Sequence, residues 1–271
     1  MNKILCSTGT MIGRPNGRDI TLLREHYGTL LCDGLEFMMY DTWYEKQDEI
    51  LRVMSKIPLP VPVFHVEKSI GSLVARDEKD ALETALARFT VNCKMAKELG
   101  SETLVLHLWN GPESDTNIAR NLACYPLFDE IARANGLLLT VENVVCSRED
   151  PLTHLKSLTQ TFPNAFFTFD TKMAAFHCQL DQLYEEENRE IFARVRHVHV
   201  NDYGGGYKDW NNLKTLHVGD GHVDFDRFFD FLRKMHYTGN FTIEATSFDG
   251  SGTIYCDQLN RSIRMLRKWI D

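Results

Sequence analysis

Eight short apolar runs, each five or six residues long and rich in Val, Ile, Leu and Phe, recur along the chain. They are KILCS (3–7), GLEFMM (34–39), VPVFHV (61–66), TLVLHL (103–108), LLLTVE (137–142), AFFTFD (165–170), RHVHV (196–200) and FTIEA (241–245). Runs of this length and composition read as buried strands. Between them lie stretches with helical spacing. The clearest covers 77–99, where Ala81, Leu82, Ala85, Leu86, Phe89, Val91 and Cys93 make a broad apolar face that stops at Gly100. Others fall at roughly 43–56, 117–135, 150–161, 182–194, 224–236 and 255–270. No linker or low-complexity tract interrupts the alternation.

Strands alternating with helices predict βαβ units and a parallel sheet. Eight such units in a chain of 271 residues fit a (β/α)8 TIM barrel, one α/β domain over 1–271. The rival, a doubly wound open sheet, brings fewer strands and a glycine-rich first turn. STGTMIGRPNG is not a GxGxxG.

Against this apolar pattern four polar residues stand out. Glu142 follows LLLTV, Asp170 follows AFFTF, His199 sits in VRHVHV, and Glu244 follows FTI. A carboxylate buried at a strand end costs several kcal/mol, on the order of a core side chain, unless it finds a partner. Active sites of such barrels lie at the C-terminal strand ends, so the four should share one rim. His65 and His107 hold the matching place after VPVF and TLVL, and Glu36 sits inside the second run. Three carboxylates and one imidazole form an oxygen-rich shell suited to one divalent ion, Mn, Zn, Mg, Co or Fe. Cys146 and Cys178 lie outside these positions.

The remaining composition narrows the setting. A formal charge of −8 argues against a nucleic-acid partner, which rewards concentrated Lys and Arg. The 7 cysteines are widely spaced and form no CxxC, as expected of free thiols in a reducing cytoplasm. No signal-peptide core or membrane-length apolar run is present, so a soluble cytoplasmic protein is expected.

The ordered set LTVEN, FTFDT, HVHVND and FTIEA resembles the xylose isomerase-like superfamily of TIM barrels, which holds sugar epimerases, hydroxypyruvate isomerase, inosose dehydratase and endonuclease IV. The resemblance implies one divalent ion held by Glu142, Asp170, His199 and Glu244. It gives Glu142 and Glu244 a second role as acid and base in an isomerase or epimerase acting on a carbohydrate or polyol. The ion would polarise a carbonyl and stabilise a developing enediolate, while the two glutamates move protons on either side of it. His65, His107, Lys172, Trp109 and His217 then become the substrate-facing set. KTLHVGDGHVDF resembles the superfamily's glycine turn, with Gly219 and Gly221 as turn residues. Lys68 and Glu67, following His65, read as solvated or paired loop charges. Self-association is common in the group, although no feature of this sequence shows it.

Departures sharpen the expectation. Endonuclease IV carries further zinc ligands where this chain has Met173, Leu213 and Thr215, so a trinuclear phosphodiesterase site is broken. Tagatose-type epimerases carry a substrate-binding histidine where Met173 stands, which points to a smaller, oxidised or cyclic substrate. Two alternatives stay open: an inosose-type dehydratase, and a non-catalytic barrel that binds a sugar.

Overall fold

The strands form where the apolar runs lie, and their alternate residues divide the protein into a polar lumen and an apolar mantle. The computed structural model describes residues 2–76, 78, 80–111, 113 and 115–270. Strands β1 (Ile4–Ser7), β2 (Gly34–Met38), β3 (Val63–His65), β4 (Thr103–Leu106), β5 (Leu138–Glu142), β6 (Phe166–Asp170), β7 (Val195–His199) and β8 (Asn240–Ile243) pair in sequence order as a closed barrel. Every pairing is parallel, and β8 closes on β1 through Ile4 opposite Phe241. The chain is a single TIM-barrel domain.

The helices are α1 (Leu23–His26), α2 (Gln47–Met54), α3 (Ser69–Ala75), α4 (Ala81–Glu98), α5 (Ile118–Ala134), α6 (Pro151–Thr161), α7 (Thr171–Phe176), α8 (Arg189–Phe192), α9 (Phe225–Lys234) and α10 (Cys256–Ile270). Four expectations need correction. The stretch 43–56 is regular only from Gln47, because Asp41–Lys46 is a 3-10 segment. The stretch 182–194 breaks into two 3-10 turns and the one-turn α8. The helix expected over 77–99 begins at Ala81, and Asp77, its expected start, lies outside the described residues. Helices α1, α3 and α7 lie outside the expected stretches, since 4, 7 and 6 residues are too few to display a period.

Most of the apolar core lies between the outer face of the sheet and the helices. Leu5, Val63 and Val105 form a small cluster apart from it, on β1, β3 and β4. Two residues further along the same strand faces come Ser7, His65 and His107. On the other strands that face carries Glu36, Thr140, Glu142, Thr168, Asp170, His197, His199 and Thr242, all buried. Polar groups this deep must satisfy one another. The Thr140 hydroxyl lies 2.7 Å from that of Thr168, and the Thr242 hydroxyl 3.0 Å from His197 Nε2.

Two local devices aim the site. In the β6–β7 pairing Phe167 opposes Val195 but Thr168 opposes His197, so Arg196 is an extra, exposed residue. This bulge resets the alternation and turns both histidines inward. Gly71 of α3 packs directly on the segment after β4: a Cβ there would stand 2.3 Å from the His107 carbonyl oxygen. Any larger residue pushes α3 away from the segment that carries His107. Among the described residues no helix is long and apolar enough to cross a membrane.

Candidate metal centre

Register brings the predicted residues together. Asp170 pairs with His199 across β6 and β7, Glu142 ends β5, and Glu244 follows β8 directly. One ligand atom from each of Glu142, Asp170, His199 and Glu244 lies within 4.8 Å of the others. The centre is His199 Nδ1, which stands 3.0 Å from Glu142 Oε1, 3.2 Å from Glu244 Oε2 and 4.0 Å from Asp170 Oδ2. Its other nitrogen, Nε2, meets the Glu36 carboxylate at 3.1 and 3.2 Å. Glu36 also sits 2.8 Å from His197 Nε2. A carboxylate behind a histidine ring fixes which nitrogen faces the site.

Two asparagines hold the carboxylates. Asn201 donates to Asp170 Oδ2 at 2.8 Å, and its Oδ1 accepts the Glu244 N–H at 3.0 Å. Asn143 accepts the Asp170 N–H at 2.6 Å and donates to the Asp170 carbonyl at 3.1 Å. Asp170 Oδ1 takes the Met173 N–H at 3.0 Å and caps α7. The sequence runs E-N and H-V-N carried this signal, yet an asparagine beside a ligand has no distinctive spacing.

Charge explains the protonation pattern. Burial alone lowers the affinity of His199 for a proton, but Glu244, Glu36 and Glu142 outweigh it and hold the ring protonated well above the usual histidine range. Burial raises the Glu142 carboxyl, and the charges of His107 and His199 more than reverse that, so it stays well below the usual range. Glu244, likewise pulled against burial by His199, falls to about 2. Asp170 moves the other way. Burial raises it, Lys172 opposes, and the like charges of Glu142 and Glu244 add to the rise.

The donor set fits a divalent cation. Glu244 Oε1 is buried without a hydrogen-bond partner among the described residues, and Glu142 Oε2 has no aligned hydrogen bond. One imidazolium faces three carboxylates, and a divalent ion would supply more of the charge they call for. His199 Nδ1 with Glu142, Asp170 and Glu244 would hold the ion.

The predicted substrate-facing residues divide. His107 Nε2 stands 2.6 Å from Glu142 Oε2, and His65 Nε2 stands 3.4 Å from the same oxygen. Both rings therefore back Glu142. Burial lowers His107 despite the pull of Glu142. Lys172 is buried and donates to Thr215 Oγ1 at 2.9 Å. Trp109 does not line an open site: its indole N–H donates to the Val144 carbonyl at 2.9 Å, and the ring is fully buried edge-on to His154. His217 is held between Ser262 and Ser247, its ring nitrogens 3.1 and 3.2 Å from their hydroxyls. The glycine turn exists to wrap Asp202, whose carboxylate takes the N–H groups of Gly219, Gly221 and Val223. Of the two charges read as solvated or paired, Glu67 meets Arg88 at 3.4 Å and takes the Ser69 N–H at 2.6 Å, while Lys68 is half-buried at the start of α3.

A family model for the xylose isomerase-like TIM barrel matches residues 27–269. The chain belongs to that family. No curated protein sequence matches it. Among solved structures, a D-tagatose 3-epimerase-like protein aligns with a TM-score of 0.70 at 19% identity, over 99% of this chain and 97% of that one. A 3-keto-D-glucoside 4-epimerase from E. coli gives 0.68 at 17%, over 99% and 100%. An IolI protein solved with a bound zinc atom gives 0.68 at 14%, over 98% and 96%. At these identities the likeness of this xylose isomerase-like barrel to each of them is one of fold.

Proposed function

We propose that the protein is a divalent-metal-dependent isomerase or epimerase of sugars or polyols. The observation that carries this reading is the convergence of Glu142, Asp170 and Glu244 on His199 Nδ1, with Glu36 behind the ring. The epimerase neighbours named above are consistent with it. A divalent ion held by the four residues supplies charge that acidifies the carbon next to a sugar carbonyl.

The chain's own groups then move the protons. Glu142 and Glu244 come from β5 and β8, on either side of His199, and both start ionised. Each can therefore accept a proton. Glu244 is the more exposed of the two, and its Oε1 carries no hydrogen bond, so it takes the first proton. Glu142, braced by His107 and His65, takes up a proton from solvent and delivers it to the opposite side of an enediolate, while Glu244 releases its own to solvent. Asp170 and His199 act as ligands only.

The test is metal content followed by solvent deuterium exchange. Protein purified without chelator and reloaded with Mn or Zn should bind one ion and exchange deuterium into ketoses or keto-inositols. Exchange accompanied by loss of water would move the assignment to an inosose-type dehydratase. Absence of any bound ion would overturn the reading.

A further inference from the structure

Among the described residues Lys172 is the one buried lysine or arginine, at 7% exposure. Its ammonium donates to Thr215 Oγ1 at 2.9 Å, and no carboxylate oxygen of the described residues comes within 4.0 Å to form an ion pair. An ammonium group has three donors, so two are left without a partner among the described residues. Burying a charge this incompletely paired is costly, and the cost is offset when an anion arrives. Lys172 stands two residues beyond Asp170, on the first turn of α7. The neighbouring Met173 offers no polar group where the family resemblance places a substrate histidine.

A second unpaired cation lies across the ring. Lys68, half-buried between β3 and α3, makes no hydrogen bond or ion pair among the described residues. The adjacent Glu67 is already taken by Arg88 and Ser69. Lys68 lies three residues past His65 at the end of β3, and Lys172 two past Asp170 at the end of β6, so both stand on the rim that carries the carboxylates. In a closed ring of eight these strands are three apart, so the two lysines rise from different parts of the rim.

We infer that the substrate polyol carries an anionic group, a carboxylate or a phosphate, that binds Lys172 and is drawn in by Lys68. This inference rests on the catalytic reading above and names its substrate class. A lysine acts on either anion as a point charge, so the two share one recognition chemistry.

The experiment is calorimetric titration of the manganese-loaded protein with D-fructose, D-gluconate and D-fructose 6-phosphate, at low and high NaCl. At least one anionic probe should bind about ten-fold or more tighter than D-fructose, with the advantage shrinking in salt. The stronger of the two anions identifies carboxylate or phosphate. Lys172→Gln should abolish most of that advantage, Lys172→Arg should restore part of it, and Lys68→Gln should reduce it by about two- to five-fold. A structural role for Lys172 would weaken all three probes equally. D-fructose binding as tightly as both anions, or a full advantage surviving in Lys172→Gln, overturns the inference. Should Lys172→Gln fail to fold, the wild-type ratio, its salt dependence and Lys68→Gln decide alone. If manganese does not bind, the metal reading fails, and the same titrations on metal-free protein still decide the role of the lysines.

Discussion

Glu36 holds His199 by its Nε2 atom, at 3.1 Å, and thereby turns Nδ1 toward three other carboxylates. The ring cannot rotate without breaking that contact. Replacing Glu36 by Gln removes the charge that keeps the proton on Nε2. Metal affinity should fall about 10- to 100-fold, measured by competition with a chromogenic chelator. Unchanged affinity would show that the Glu36 charge does not set the His199 nitrogen for the ion.

Metal binding should expel a proton. His199 is protonated well above its ordinary range in the metal-free site, and a ligand nitrogen must be bare. The proton competes with the ion at every pH below that raised value, so apparent affinity climbs as pH rises. Calorimetry in buffers of differing ionisation enthalpy should report about one proton released per ion. No buffer dependence would contradict the arrangement.

Glu142→Gln and Glu244→Gln should each lower solvent exchange by at least about 10²-fold, because each removes a proton carrier as well as a ligand charge. Measuring exchange at saturating metal separates the two losses. Wild-type-like exchange in either variant would remove the acid–base assignment.

His177 supplies a stability prediction away from the site. Its Nε2 accepts the Cys146 N–H at 2.9 Å, and burial with the nearby Lys208 charge pushes its pKa down to about 4. The unfolded chain binds that proton near pH 6.5, so the folded form is disfavoured as pH falls from about 6.5 to 4. His177→Gln, which keeps an acceptor, should lessen that loss by at most about 2 kcal/mol after solvent screening is allowed for. Urea melts of both proteins at pH 7 and pH 4.5 give the difference. Equal losses would mean that His177 titrates normally.

Gly71→Ala should cost about 1–3 kcal/mol, since the new methyl would meet the His107 carbonyl at 2.3 Å. A drop in urea midpoint, with His107 displaced from Glu142, is the expected outcome. An unchanged midpoint would mean that α3 can move aside freely.

The strand runs and the four polar strand ends were legible because burial forces both patterns into the sequence. Glu142, Asp170, His199 and Glu244 each interrupt an apolar stretch, and a barrel leaves them one rim to share. Glu36 was visible but unplaced, because its partners lie on β7, some 160 residues away, and no local spacing encodes that pairing. Trp109 and His217 misled for the reverse reason. Trp109 stands just past β4 and His217 just ahead of the glycine turn, places that fit a substrate contact, while their hydrogen bonds to Val144, Ser262 and Ser247 commit them to packing. Helices α3 and α7 escaped because one or two turns carry too few apolar positions to repeat.

The small cluster of Leu5, Val63 and Val105 carries a consequence for how this barrel can change. So little grease in the lumen means that cohesion comes from the mantle, where helices grip the outside of the sheet. The lumen works instead as a polar lattice, a run of hydroxyls, imidazoles and carboxylates that meet one another from strand to strand. Shape and chemistry are thus kept in separate layers, and either can drift while the other stays put.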